Sequence, residues 1–72
     1  MSIDAMVGER IRKAREKKML LLDGLAQLVE VSAHYLGQVE AGHERPEPEL
    51  LIVLANKTDA EVSYFLDSFH RI

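Results

Sequence analysis

Apolar residues recur at helical spacing along most of this chain, and nowhere do they alternate as in a half-buried strand. Val7, Ile11 and Ala14 stand at i, i+4 and i+7, which lines them up on one face of a first helix of roughly Ala5 to Lys17. Leu22, Leu25, Ala26 and Val29 repeat that spacing and predict a second, shorter helix. Ser32 is a good N-cap for a third, because its hydroxyl can accept from a free amide of the first turn, and Gly42 is a good stop. The third helix then runs from about Ala33 to Ala41, with Tyr35, Leu36 and Val39 pointing one way. Pro46 and Pro48 exclude a helix through the polar stretch Gly42 to Pro48 but suit the start of the next one. Leu50, Leu51, Leu54 and Ala55 form a fourth amphipathic helix, and Val62, Phe65, Leu66 and Phe69 a fifth, with Lys57 to Ala60 between them. The interlocking faces predict a core of Leu25, Val29, Leu36, Val39, Leu51, Leu54 and Phe65.

Length and composition narrow the function. A chain of 72 residues with no internal repeat or low-complexity linker reads as one all-α domain, residues 1–72, and its 47% hydrophobic content suffices for five short helices to pack. So small a bundle has little room for a deep substrate cavity. The absence of cysteine removes disulfides, thiolate chemistry and zinc fingers. The longest apolar run, Met19 to Leu22, is too short to span a bilayer, and the N-terminus lacks the basic-then-apolar order of a secretion signal. The expectation is a soluble, cytoplasmic protein with no membrane partner. His34, His43 and His70 are scattered, no carboxylate or second histidine stands at a metal-binding spacing, and no catalytic triad or phosphate loop is recognisable. No metal, cofactor or catalytic residue is expected.

A formal charge of −3 gives no overall basic field that would point to nucleic acid. The distribution is more telling. Six of the nine basic residues, Arg10, Arg12, Lys13, Arg15, Lys17 and Lys18, fall in one stretch, while Met19 to His43 holds none. Arg10, Lys13 and Lys17 share a helix face that could meet phosphates, but Glu9 and Glu16 on the same helix favour a solvated face.

The second and third helices carry the specific signal. Two short helices joined by a few residues must cross steeply, leaving one face of the second free to project outward. At 100° per residue, His34, Gly37, Gln38 and Ala41 lie opposite Tyr35, Leu36 and Val39. That face is small, polar and uncharged. A helix of this kind fits the DNA major groove, where glutamine can make a bidentate contact to adenine and histidine a hydrogen bond. Gly37 marks either close approach to DNA or a tight helix crossing.

The residues Gly8 to Arg15, Leu25-Ala26, Val31-Ser32, Tyr35 to Gly42, Pro46 and Leu50 to Asn56 together resemble the phage-repressor/Cro-type helix-turn-helix family, also called the xenobiotic-response-element family. The resemblance covers nearly the whole chain without a gap. It implies a compact five-helix lambda-repressor-like DNA-binding domain, with Ala33 to Ala41 as recognition helix. It further implies DNA contact through Ser32, Ala33, His34, Gly37 and Gln38, and a backbone contact from Arg45. An arginine at the place of Arg15 paired with a glutamate at the place of Glu40 is a structural feature the resemblance also implies. The function implied is a sequence-specific transcriptional regulator, most simply a repressor, bound to double-stranded DNA.

Three departures from the family pattern bear on that function. Leu21 and Leu22 stand where a Ser or Thr cap and a Gln are usual, which removes a cap worth about 1 kcal/mol and a phosphate anchor. Glu30 stands where glycine is usual, at a site that needs a left-handed backbone. Thr58, Asp59 and Ala60 replace the usual leucine, glycine and valine. The first departure, with the acidic balance, supports an alternative: a helix-turn-helix protein-interaction module, antirepressor or antitoxin-like, with a regulatory protein partner. Core packing should take one or two of Leu20 to Leu22 and leave one exposed. Finally, Tyr64, Phe65, Leu66, Phe69 and Ile72 exceed what the core needs from one short helix, which predicts a homodimer joined through the fifth helix and the chain end, on a palindromic or near-palindromic operator.

Overall fold

A computed structural model describes residues 2–66. The described residues form α1 (Ile3–Lys17), α2 (Leu22–Leu28), α3 (Ala33–Ala41), α4 (Pro48–Thr58) and α5 (Val62–Phe65), with no strand among them. Helix α1 begins two positions before the expected Ala5 because the Ser2 hydroxyl caps it, accepting from the Ala5 amide at 3.1 Å. Helix α2 ends at Leu28 rather than running through Val29, which becomes its C-cap yet stays buried. Helix α4 starts at Pro48, whose missing N–H costs nothing in a first turn, and continues to Thr58, past the expected connector start at Lys57. The buried Thr58 hydroxyl is satisfied by donating to the Leu54 carbonyl at 2.7 Å.

The same closure ends α1, α2, α3 and α4. Leu20, Val31, His43 and Ala60 each donate an amide to a carbonyl five residues back, with the preceding residue, Met19, Glu30, Gly42 or Asp59, in the left-handed region. Gly42 takes that conformation freely. Met19, Glu30 and Asp59 take it at a cost of roughly 1–2 kcal/mol each. Glu30 and Asp59 both stand where the family pattern has glycine, and Glu30 answers the stated expectation of a left-handed backbone, whereas Met19 carried no signal for it.

All seven expected core residues are buried, joined by Val7, Ile11, Ala14, Ala26 and Ala55. Helix α1 lies against α3 so closely that a Cβ on Gly8 would stand 2.3 Å from the Val39 carbonyl oxygen and 2.6 Å from that of Glu40. At the other end of the seam, a Cβ on Gly42 would stand 2.7 Å from the Ala5 Cα. One expectation is corrected here. Phe65, foreseen both in the core and at a dimer surface, is 0% exposed, because its ring fills the centre of the cluster; it has no face left for a partner. Tyr64 is exposed and Leu66 half-buried against the core, while Phe69 and Ile72, like His70, lie outside the described residues.

Candidate nucleic-acid interface

The pair α2 and α3 presents the outward face. Ser32 accepts from the Tyr35 amide at 3.0 Å, which fixes the start of α3, and the Gly42 closure fixes its end. Leu36 and Val39 point inward and are fully buried, and Tyr35 packs partly against the core. Ser32, His34 and Ala41 are exposed, while Ala33, Gly37 and Gln38 are half-buried at the edge of the face. All the positions expected to touch DNA from this helix are therefore brought to one surface. A Cβ on Gly37 would meet only Leu22 Cδ2 at 3.5 Å, an ordinary contact, so the crossing with α2 does not need a glycine there. The glycine demanded by close helix approach is Gly8.

The approach to α2 is apolar. Leu21 occupies its N-cap without a side-chain hydrogen bond and is 79% exposed, and Met19 in the preceding turn is 90% exposed. Leu20 and Leu22 pack partly against the core, which leaves one leucine of the run in solvent.

Behind α3, Arg15 and Glu40 form a two-pronged ion pair. Arg15 Nε donates to Glu40 Oε2 at 2.8 Å and Nη2 to Oε1 at 3.0 Å, with the side chains only 13% and 8% exposed. Arg15 Nη1 also donates to the Leu20 carbonyl at 2.9 Å, so one guanidinium ties α1 to α3 and to the turn before α2. The hydrogen bond to Glu40, helped by its charge, raises the Arg15 pKa above the usual arginine value against the opposing effect of burial.

Other basic residues of α1 and its C-cap are also paired within the fold. Arg10 Nη1 donates to the Tyr64 carbonyl at 2.7 Å and its guanidinium stands 5.4 Å over that ring, joining α5 to α1. Lys18 pairs with Asp59 at 2.5 Å and Lys13 with Glu9 at 3.4 Å. Arg45, expected to meet the DNA backbone, is exposed in the loop after α3, and Asp4 holds it: the hydrogen bond to that carboxylate, then its charge, raises the Arg45 pKa. Nothing in the sequence pointed to Asp4, which lies 41 positions from Arg45. Among the described residues no cluster of side chains could hold a metal ion, and no helix is long and apolar enough to cross a membrane.

An α2-turn-α3 unit with a capped, outward-facing second helix defines the helix-turn-helix class. The helix-turn-helix family model HTH_3 matches residues 11–65, and the chain belongs to that family, a family of non-enzymatic DNA-binding regulators. No curated protein matches the chain. Among solved structures it is similar to the clp gene regulator ClgR from Corynebacterium glutamicum, at 28% identity and a TM-score of 0.88 over 93% of this chain and 71% of that one. It is also similar to the restriction-modification controller protein C.AhdI from Aeromonas hydrophila, at 30% identity and a TM-score of 0.79 over 85% and 92% of the two chains. An HTH_3 family transcriptional regulator from Vibrio cholerae is 30% identical with a TM-score of 0.79, covering 92% of this chain and 37% of that chain.

Proposed function

We propose that this DNA-binding transcriptional regulator is a repressor that recognises a palindromic or near-palindromic operator as a homodimer. The observation that carries the reading is the outward face of α3, where exposed His34 and Ala41 flank half-buried Gly37 and Gln38 and no charged side chain intervenes. Gln38 reads adenine, His34 supplies a further hydrogen bond, and the small Ala33 and Gly37 admit the helix deep into the major groove. Ser32 and Arg45 contact the DNA backbone. Two copies related by a two-fold axis place their recognition helices about 34 Å apart, one DNA turn, and so add two modest half-site contacts. Tyr64 and Leu66, with Phe69 and Ile72 beyond the described residues, form the contact between copies.

Selection of bound fragments from genomic DNA, at low and moderate salt, tests the reading. A recovered palindrome supports it, and absence of any enriched sequence overturns it. For the dimer, sedimentation at micromolar concentration compares the wild type with Phe69→Glu; a monomeric wild type, or a variant that dimerises equally well, removes this surface from the interface.

One observation favours a second reading, a protein-interaction module. Met19 and Leu21 expose two large apolar side chains at the uncapped start of α2. On that reading Leu21→Glu abolishes binding of a regulatory partner, while Gln38→Ala is silent in DNA binding.

A further inference from the structure

Arg45, given above the task of anchoring a DNA phosphate, already holds an anion. Its Nε donates to Asp4 Oδ1 at 2.9 Å and its Nη2 to Oδ2 at 3.5 Å. The backbone arranges this meeting. Gly42, in its left-handed conformation, rests against Ala5, and the buried Pro46 closes the loop, so the segment carrying Arg45 is built onto the first turn of α1. Asp4 and Arg45 line one apolar groove of about 400 Å³ together with Ile3, Val7, Pro46 and Leu51.

Exposure decides what kind of pair this is. The Arg45 side chain is 78% exposed, six times the 13% of Arg15, so water and salt screen the contact and leave it exchangeable. A DNA phosphate offers the same pair of anionic oxygens to the guanidinium fork, and so competes with the Asp4 carboxylate for one group. Asp4 is not left bare when Arg45 leaves. It lies in the first turn of α1, whose free amides favour a negative charge.

We propose that Asp4 is a built-in competitor for DNA: its carboxylate occupies Arg45 in the free protein, and the phosphate must displace it. The inference rests on the phosphate-anchoring role of Arg45 in the proposed function. Asp4 then lowers affinity for every duplex alike and leaves discrimination between sequences to His34 and Gln38.

The test uses a short fluorescein-labelled duplex of mixed sequence, titrated by anisotropy over a salt series, since a phosphate contact needs no operator. Asp4→Asn, nearly the same shape without the charge, is expected to tighten binding up to about fivefold at low salt. It also steepens the fall of log affinity with log salt. Arg45→Ala is expected to weaken binding and lower that slope by about 1. In the Arg45→Ala background, Asp4→Asn changes affinity less than about twofold. Asp4→Ser, which keeps a residue suited to a helix start, behaves like Asp4→Asn, and circular dichroism melting confirms that each variant is folded. Weaker or unchanged binding by both Asp4 variants overturns the proposal, and so does an equal gain with and without Arg45, which would mark Asp4 as bulk repulsion only. If Arg45→Ala leaves affinity and slope unchanged, the phosphate role itself fails and the proposal with it. A wild type that fails to bind this duplex even at low salt shows no phosphate contact for Asp4 to compete with, and overturns the proposal.

Discussion

Alanine at position 8 is a case in which local preference and tertiary contact predict opposite signs. In the middle of a helix such as α1, glycine is about 1 kcal/mol worse than alanine, so Gly8→Ala considered alone is stabilising. The structure reverses this. The added Cβ would stand 2.3 Å from the Val39 oxygen and 2.6 Å from the Glu40 oxygen, whereas real Cβ atoms essentially never approach within 3.0 Å. Both obstacles are backbone atoms of α3 and cannot rotate away. Relief requires α1 and α3 to part by about an ångström, which stretches the 2.8 Å bond between Arg15 and Glu40. Overpacking of this kind costs typically 1–3 kcal/mol or more, and against rigid backbone the upper part of that range applies. A net loss of about 1–2 kcal/mol lowers the melting temperature of so small a domain by roughly 5–15 °C. Gly24→Ala and Gly37→Ala are the internal controls. A Cβ on Gly24 meets nothing within 4 Å and one on Gly37 makes an ordinary contact, so both variants gain up to about 1 kcal/mol from helix propensity. Thermal denaturation followed by circular dichroism separates the three. A Gly8→Ala protein that melts at or above the wild type, or controls that fall as far as it does, would refute the reasoning.

Arg15→Met and Glu40→Gln each strand a shielded charged partner and are expected to cost about 2–4 kcal/mol, whereas Arg15→Met combined with Glu40→Met costs clearly less than the sum; additive losses in melting experiments would show the two side chains to be independent. Because the Arg15 pKa is raised, its share of stability is complete below the ordinary arginine value and is lost as pH rises from there through the raised one, so melting is flat near neutrality on its account. Met19→Gly and Glu30→Gly each remove left-handed strain of roughly 1–2 kcal/mol and pay about 0.5–1 kcal/mol in chain entropy, leaving a small gain visible as a melting point a few degrees higher; a drop in both argues against strain at these ends. Gln38→Ala leaves melting unchanged and relaxes preference at one base position in each half-site at a cost of about 1–3 kcal/mol, read by repeating the fragment selection; an unaltered consensus excludes Gln38 from base readout.

The bounds of α3 were legible in the sequence because both ends carry strong chemical punctuation, Ser32 as cap and Gly42 as left-handed stop. Where punctuation was absent, reading failed locally. Asp59 turns left-handed with no glycine to announce it, and α4 therefore ran past the point where a connector was expected. The apolar stripes identified the core, but a stripe counts apolar positions without saying how many neighbours will cover each. That is why Phe65 was assigned a surface role that its complete burial denies. Arg15 and Glu40 came from family resemblance, and the bond from Arg15 to the Leu20 carbonyl came from neither source, since a carbonyl has no sequence signature. Asp4 was invisible for the corresponding reason: its partner is chosen by how the loop after α3 folds back, not by spacing along a helix.

The seam at Gly8 has an implication for how such a protein changes its target over evolutionary time. What α1 touches there are carbonyl oxygens of Val39 and Glu40, atoms that every residue possesses. The side chains at positions 33, 34, 37, 38 and 41 take no part in that contact and can be exchanged without disturbing the joint that aims the helix. On the proposed reading of DNA by α3, inheritance can therefore edit the word that is read while leaving the reader's posture intact, and a laboratory library confined to those positions should yield folded proteins with altered preferences far more often than one that includes Gly8, Leu36 or Val39.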